Sequence, residues 1–110
     1  MQKQFRLKKR AAFAYVYRKG EKTAARDLLL LSAKSKEGLK IGLSVSKKVG
    51  NAVTRNHVKR LIREALKSIM DRIDDGYMYV IVAYPSIAEK DFFSVSKSVE
   101  QAFLRAEKLK

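Results

Sequence analysis

The sequence predicts an α+β fold in which helices pack against one small sheet as a two-layer α/β sandwich. The chain has 110 residues, a length typical of one domain with one hydrophobic core. Hydrophobic residues make up 46% of it, which is enough to build that core. Apolar residues also change period along the chain, from helical spacing to alternation and back. We therefore expect a single domain over residues 1–110 with the order helix, strand, strand, helix, strand, helix.

The first half of the chain contains a short helix and two strands. Residues 7–18 carry apolar side chains at helical spacing before Gly20, which predicts the helix. Residues 28–33 and 39–46 have strand length and flank a turn-rich connector, so we predict two antiparallel strands. Alternation in the second strand places four apolar side chains on its core face: Leu39, Ile41, Leu43 and Val45.

The second half adds a long helix, a strand and a last helix. Residues 52–72 predict the long helix, with Asn51 as its N-terminal cap. Residues 77–84 are continuously apolar, which indicates a strand inside the sheet and not at its edge. Residues 89–109 predict the last helix. Its expected inward side chains are Phe92 or Phe93, Val95, Val99, Phe103 and Leu104.

The long helix has one apolar stripe and one basic arc. The stripe follows helical spacing through Val58, Leu61, Ile62, Ala65, Leu66 and Ile69. The arc beside it carries Arg55, Asn56, Lys59, Arg60, Arg63 and Lys67. Glu64 is the only acid on this helix before Asp71. A surface helix usually mixes both signs of charge, so this arc points to a negatively charged partner.

Positive charge is concentrated in two segments of the chain. The formal net charge is +14, and residues 1–26 hold nine Lys or Arg against one Glu. Residues 47–72 hold eight Lys or Arg against two acids. These two segments carry the entire excess, which predicts a polyanion partner. No apolar run approaches the roughly 18 residues of a membrane span and there is no Cys, so we expect a soluble cytoplasmic protein.

Two further patterns suit nucleic acid. In GLSVSKKVGN, Lys47 and Lys48 stand in a basic turn at a helix start, where backbone N–H groups bind phosphate. In FAYVY, Phe13 and Tyr17 share one helix face among basic residues. Each ring has two competing interpretations, a core residue or a stacking platform for unpaired bases. A third interpretation, a basic aromatic helix on a membrane surface, is also open.

The sequence offers little support for a protein-borne active site. His57 is the only His, so a mechanism on paired imidazoles is excluded. Asp74 and Asp75 are the only adjacent acids, and a DDG sequence after a helix favours a turn over a metal site. No glycine-rich phosphate-binding motif is present.

The stretch GLSVSKKVGNAVTRNHVKRLIRE resembles the signature of the bacterial ribonuclease P protein subunit, an Arg-Asn-Arg core followed by a basic helix. The resemblance extends over most of the chain. It includes an LKK-x3-F-x3-aromatic helix from Leu7 to Tyr17, the pair Lys19 and Gly20, Arg26, and AYP at 83–85.

The resemblance implies an endoribonuclease subunit that binds a catalytic RNA and the 5′ leader of precursor tRNA, in a 1:1 complex. It implies that the RNA carries the active site and its Mg²⁺, with no metal bound by the protein alone. It also implies a small mixed sheet with a split, left-handed βαβ crossover, where general rules would favour the right-handed one. No membrane partner is expected. The alternative is a general RNA-binding or ribosomal protein without a role in cleavage.

Site residues follow by position in the family motif. The leader cleft would be lined by Phe13, Tyr17 and Leu31, and Leu31 stands where relatives often have an aromatic ring. His57 replaces the second Arg of the signature, which removes a fixed charge and a bidentate phosphate donor. The catalytic RNA would be bound by Lys47, Lys48, Asn51, Arg55, Asn56, His57, Lys59, Arg60 and Arg63.

Overall fold

The first and the last of the α-helices and strands are both helices, as predicted. The computed structural model describes residues 2–110. Its elements are α1 (Arg10–Lys19), β1 (Glu21–Ala25), β2 (Leu28–Lys34), β3 (Lys40–Ser44), α2 (Ala52–Ile69), β4 (Tyr77–Ala83) and α3 (Phe92–Arg105). Short 3-10 turns occupy Lys3–Phe5, Met70–Arg72 and Pro85–Glu89. The α+β class and the predicted order are confirmed, with β1 as an additional strand.

Strand β1 was not predicted because its sequence, EKTAA, has neither strand propensity nor apolar alternation. It forms because its backbone pairs with β2, which places Glu21 opposite Ser32 and Ala25 opposite Leu28. The two-residue turn between these strands ends at Asp27, which has a positive φ of 68°. Pairing with an apolar neighbour therefore overrides local propensity at this edge of the sheet.

The sheet is mixed, with strand order β1-β2-β4-β3. Strand β4 is central, as its continuous apolar sequence predicted. Strands β2 and β3 run antiparallel to each other as predicted, but they are not neighbours, because β4 lies between them and bonds to both. Strands β3 and β4 are parallel direct neighbours joined through α2, so no strand splits this βαβ unit. The left hand of the crossover stays a prediction.

Each face of the sheet has its own core. On one face, side chains such as Leu30, Tyr79 and Ile81 pack against α2 and α3. On the other face, Leu31 and Val80 pack against α1. The predicted two layers are therefore corrected to three, with α1 as the third, because consecutive residues of β2 and β4 point to opposite faces and both need cover.

Helix α3 is shorter than predicted, and three of its apolar side chains do not point inward. Val95, Val99 and Phe103 are buried as expected. The correction concerns Phe92, Phe93 and Leu104, which are 45%, 67% and 52% exposed, respectively. The cap at Asp91 starts the helix at Phe92, so Phe92 and Phe93 fall in the first turn, while helical spacing turns Leu104 to the outside.

The N-terminal cap of α2 provides a stability test. The Asn51 Oδ1 accepts a hydrogen bond of 2.9 Å from the Thr54 backbone N–H. We expect Asn51→Ala to lower the free energy of unfolding by about 1 kcal/mol, measured by urea denaturation, because one N–H of the first turn loses its acceptor. Asn51→Asp keeps the acceptor and should stay near the parent value; equal losses in both variants would show that the cap contributes nothing.

Candidate nucleic-acid interface

Helix α2 holds its basic arc outward because the opposite stripe is fixed in the core. Five residues of the predicted stripe are buried and Leu61 is half-buried. Side chains three and four positions apart share a helix face, so the remaining positions must face solvent. The predicted apolar stripe of this helix is confirmed, and with it the direction of the basic arc.

The cations of this arc have no acidic partners. Arg60 and His57 are exposed, while Arg55 and Arg63 are half-buried. In both of these Arg residues the Nε atom is buried and has no hydrogen-bond acceptor. Within residues 2–110 the one ion pair under 4 Å joins Arg72 to Glu100, away from the arc, at 3.6 Å. The arc is therefore a row of unneutralised donors suited to phosphate oxygens.

Arg6, which no sequence pattern marked as a site residue, extends this surface. Burial, and then the positive charge of the nearby Arg6, lower the pKa of Arg63 below its ordinary value. The Nε of Arg6 is also buried without an acceptor. Arg6 reaches α2 because the N-terminal segment runs beside β3, where the Leu7 N–H donates to the Ile41 carbonyl at 3.0 Å. No local sequence pattern indicates this long-range pairing.

A cationic cavity of about 420 Å³ connects Arg6 with the start of α1. Its lining includes Glu37 as a single acid. The Lys40 ammonium donates to the Gln4 carbonyl at 2.6 Å and so ties the N-terminal segment to β3. Five cations line the cavity: Lys3, Arg6, Lys8, Lys9 and Lys40. Through Arg6, the basic start of α1 and the basic arc of α2 become one surface.

The turn before α2 adds two free ammonium groups. Lys47 and Lys48 are exposed, while Val49 between them and the helix is buried and anchors the turn. Asn51 is exposed, but its Oδ1 is already used as the cap of α2. The structure thus gives Asn51 a role in starting the helix that carries the arc.

On the other face of the sheet, Phe13 stands over Gly42. A Cβ at residue 42 would overlap the Cζ atom of the Phe13 ring, so only glycine lets the ring lie this close to β3. Tyr17, one helical turn further along α1, is 45% exposed. Tyr15, on the opposite side of α1, donates its hydroxyl to the Lys34 carbonyl at 2.9 Å. Phe13 is therefore partly a core residue, since its ring is half-buried against β3. The ring of Tyr17 remains available to stack with a ligand.

An uncovered row of the sheet lies next to these rings, and we call it the cleft floor. It runs across the four strands through Ala24, Leu29, Val82 and Ser44. Ala24 is exposed and the other three are half-buried. The predicted leader residue Leu31 is not part of this row. It is 1% exposed and packs beneath α1 next to Val80, so the structure takes it out of the candidate set and offers Leu29 in its place.

The acids that the sequence singled out serve the fold. Asp74 Oδ1 accepts from the Gly76 N–H at 3.0 Å and shapes the turn before β4, as the DDG sequence predicted. Its carbonyl accepts from the Tyr79 hydroxyl at 2.7 Å. Burial, reinforced by the charge of Asp74, raises the pKa of Tyr79 above its usual range. In the described part of the chain, no helix is long and apolar enough to cross a bilayer.

The positive charge of Arg6 lies close to that of Arg63. We therefore expect Arg63 to lower the stability of the free protein while it contributes to RNA binding. Replacing Arg63 with Met keeps the packing of its stem and removes a partly desolvated charge beside another cation. We expect Arg63→Met to raise the melting temperature of the free protein by roughly 2–4 °C, which corresponds to a gain of about 0.5 kcal/mol in the free energy of unfolding. The same variant should bind RNA more weakly. The exposed Arg60→Met is the control. A lower melting temperature for Arg63→Met in a thermal scan would show that Arg63 stabilises the free fold.

Comparisons with known proteins agree with this geometry. The profile of the family described as Ribonuclease P matches residues 1–107. The ribonuclease P protein component of Bacillus cereus (strain Q1) is 42% identical over 108 residues, which cover 96% of this chain and 94% of that protein. The structure of the Staphylococcus aureus RNase P protein matches with a TM-score of 0.88 and 32% identity, over 96% of this chain and 98% of that one.

The RNase P protein from Thermotoga maritima matches with a TM-score of 0.82 at 23% identity, over 96% of this chain and 98% of that one, and so supports the fold alone. The family profile and the Bacillus relative both span nearly the whole chain. The resemblance of the basic helix to the family signature is thereby confirmed. The chain belongs to the bacterial ribonuclease P protein family, whose members act as the protein subunit of ribonuclease P in the 5′ processing of tRNA.

Proposed function

We propose that this chain, as a ribonuclease P subunit, binds the catalytic RNA on its continuous cationic surface and the 5′ leader of precursor tRNA in the α1 cleft. Each surface then has one RNA partner. The two surfaces adjoin at the start of α1, but their main parts lie on different sides of the protein, because α1 and α2 pack on opposite faces of the sheet. The chain would thus hold the leader at a fixed distance from the catalytic RNA, in a 1:1 complex in the cytoplasm.

The assignment of the catalytic RNA rests on one observation, the row of cations on α2 without acidic partners. A folded RNA presents closely spaced phosphates, and guanidinium groups bind these with two donors at once. Within residues 2–110, Arg6, Arg55 and Arg63 have no carboxylate within 4 Å, which leaves their guanidinium groups available to phosphate. His57, exposed in the same arc, would add a hydrogen bond where relatives have a guanidinium. We assign to this surface Lys47, Lys48, Asn51, Arg55, Asn56, His57, Lys59, Arg60, Arg63 and also Arg6.

The assignment of the leader rests on the chemistry of single strands. Precursor tRNA differs from mature tRNA at its 5′ end by an unpaired segment, whose bases can stack on aromatic rings. Tyr17 offers an exposed ring, Phe13 a ring edge, and the cleft floor an apolar surface. Lys22, exposed on β1 and opposite Leu31, places a cation beside the floor for the backbone of the strand.

The chain's own acids are not arranged for a metal. Among residues 2–110, no three His, Asp or Glu side chains form a group that could hold one. We propose, as the family resemblance implies, that the RNA holds the Mg²⁺ of the reaction, where it would supply the charge stabilisation that phosphodiester cleavage needs. The protein's contribution would be to neutralise phosphate repulsion, which allows metal ions to occupy the RNA at lower concentration.

Cleavage of precursor tRNA by a bacterial ribonuclease P RNA at low Mg²⁺, with and without this protein, tests the proposal. We expect the protein to raise the rate of correctly placed 5′ cleavage and to lower the Mg²⁺ concentration required. Protein incubated without the RNA should leave the substrate intact. Unchanged cleavage with intact RNA binding would instead support the alternative, a general RNA-binding protein.

A further inference from the structure

We propose that helix α3 carries a second binding surface for single-stranded RNA, on the flank that faces strand β1. A groove of about 730 Å³ runs there, and we call it the α3 groove. It is separate from the surfaces described above, since α3 packs between α2 and β1, on the sheet face opposite α1. The lining residues on which the proposal depends are Arg26, Lys90, Phe93, Lys97, Leu104 and Arg105.

The apolar side chains of the groove are exposed and unused by the fold. Phe93 and Leu104 are 67% and 52% exposed. At 100° per residue they lie on the side of α3 opposite the buried Val95 and Val99. Phe93 and Lys97 are four residues apart on this outer side, and the Lys97 ammonium lies 5.2 Å from the centroid of the Phe93 ring. The arrangement pairs an open aromatic face with a cation.

The charge of the groove is strongly positive in a neutral part of the sequence. Residues 73–110 hold five basic and six acidic residues, yet three of their cations line the groove, and Arg26 from the basic N-terminal segment adds a fourth. Glu100 is the one carboxylate in the lining, and it forms an ion pair with Arg72 at 3.6 Å. Arg105 is held against β1 by its hydrogen bond to the Ala24 carbonyl, at 3.1 Å. The fold therefore gathers cations here that composition alone does not concentrate.

Single-stranded RNA is the occupant that satisfies both the charge and the ring. Its phosphates match the four cations, and an unpaired base can stack on Phe93. A double helix does not offer a free base face to the ring. A second copy of this chain would bring another net charge of +14 onto a cationic groove, so self-association is disfavoured. An acidic peptide would match the cations and leave the ring without a stacking partner.

The test is titration of the ¹⁵N-labelled full chain with a short oligouridylate, followed by amide shifts in NMR spectra. We expect shifts in residues 90–105 and at Arg26, in addition to any in the cleft and on α2. Phe93→Ala should weaken the affinity measured from the α3 shifts by about tenfold or more and leave the other shifts in place. Phe92→Ala is the matched control, because Phe92 is an exposed neighbour that does not line the groove.

Four outcomes would overturn the proposal. The first is an absence of α3 shifts at saturating oligouridylate, and the second is equal α3 affinity in Phe93→Ala and the parent. The third is an equal response to polyglutamate of matched charge, which would identify an acidic protein segment as the partner. The fourth is self-association, measured by sedimentation velocity. Concentration-dependent dimers that are lost in Phe93→Ala would assign the groove to a second copy of the chain. Since neither Phe is buried, dispersed spectra of both variants confirm that they fold.

Discussion

Replacing Arg55 and Arg60 together with Gln is expected to weaken assembly with ribonuclease P RNA by two orders of magnitude or more at physiological salt. Both residues lie on the exposed side of α2, and neither has an acidic partner. A hydrogen-bonded charge typically contributes about tenfold or more to binding. The plot of log affinity against log salt should also flatten by roughly 0.7–0.9 for each phosphate contact that is lost.

Gel-shift or fluorescence titration at several salt concentrations measures both quantities. Lys36→Gln serves as the control, because it removes one exposed cation from the connector between β2 and β3, away from the arc. The melting temperature of the double variant should stay near the parent value, since the stripe opposite these residues forms the core. A weaker affinity with an unchanged salt slope would contradict phosphate contacts at these positions.

Phe13→Ala is expected to reduce the affinity of the reconstituted enzyme for precursor tRNA and to leave its affinity for mature tRNA unchanged. Stacking of a base on an aromatic side chain is worth about 1–3 kcal/mol, which corresponds to roughly 5- to 150-fold. Only the precursor carries an unpaired leader, so only the precursor should respond. Equal losses for both tRNAs would reject the assignment of the leader to the α1 cleft.

Two variants separate a lost ring from a damaged helix. Gly42→Ala keeps Phe13 but displaces its ring, because the added Cβ would overlap Cζ, and we expect it to reproduce the defect of Phe13→Ala. Tyr15→Ala truncates a ring on the other side of α1, where it contacts Lys34, and should spare discrimination between the two tRNAs. A defect in Tyr15→Ala as large as in Phe13→Ala would point to general loosening of α1.

Periodicity identified the elements whose own residues decide their structure. The spacing of Val58, Ile62, Leu66 and Ile69 is confirmed as the buried stripe of α2, and the continuous apolar run of β4 as the centre of the sheet. Strand β1 escaped prediction because its structure depends on pairing with β2. The antiparallel directions of β2 and β3 were predicted, but the position of β4 between them was not, because local sequence does not specify which strands become neighbours.

For the site, too, local sequence predicted what one element decides by itself and missed what depends on contacts between distant segments. The basic arc could be predicted from α2 alone, because a helix with one buried stripe exposes the other. The contribution of Arg6 could not, since it depends on the N-terminal segment running beside β3. The family resemblance placed Leu31 in the leader cleft, but only the position of α1 over that face shows that Leu31 is covered and Leu29 is half-exposed to a ligand.

Site-specific crosslinking of the assembled enzyme tests the two-surface assignment most directly. Photoreactive uridines placed in the 5′ leader of precursor tRNA or in the catalytic RNA would be crosslinked to the protein, and the linked peptides identified by mass spectrometry. We predict leader crosslinks to α1 around Phe13 and Tyr17 and to the cleft floor, and catalytic-RNA crosslinks to residues 47–63 and Arg6. Leader crosslinks confined to α2, or catalytic-RNA crosslinks in the cleft, would contradict the assignment of the two surfaces.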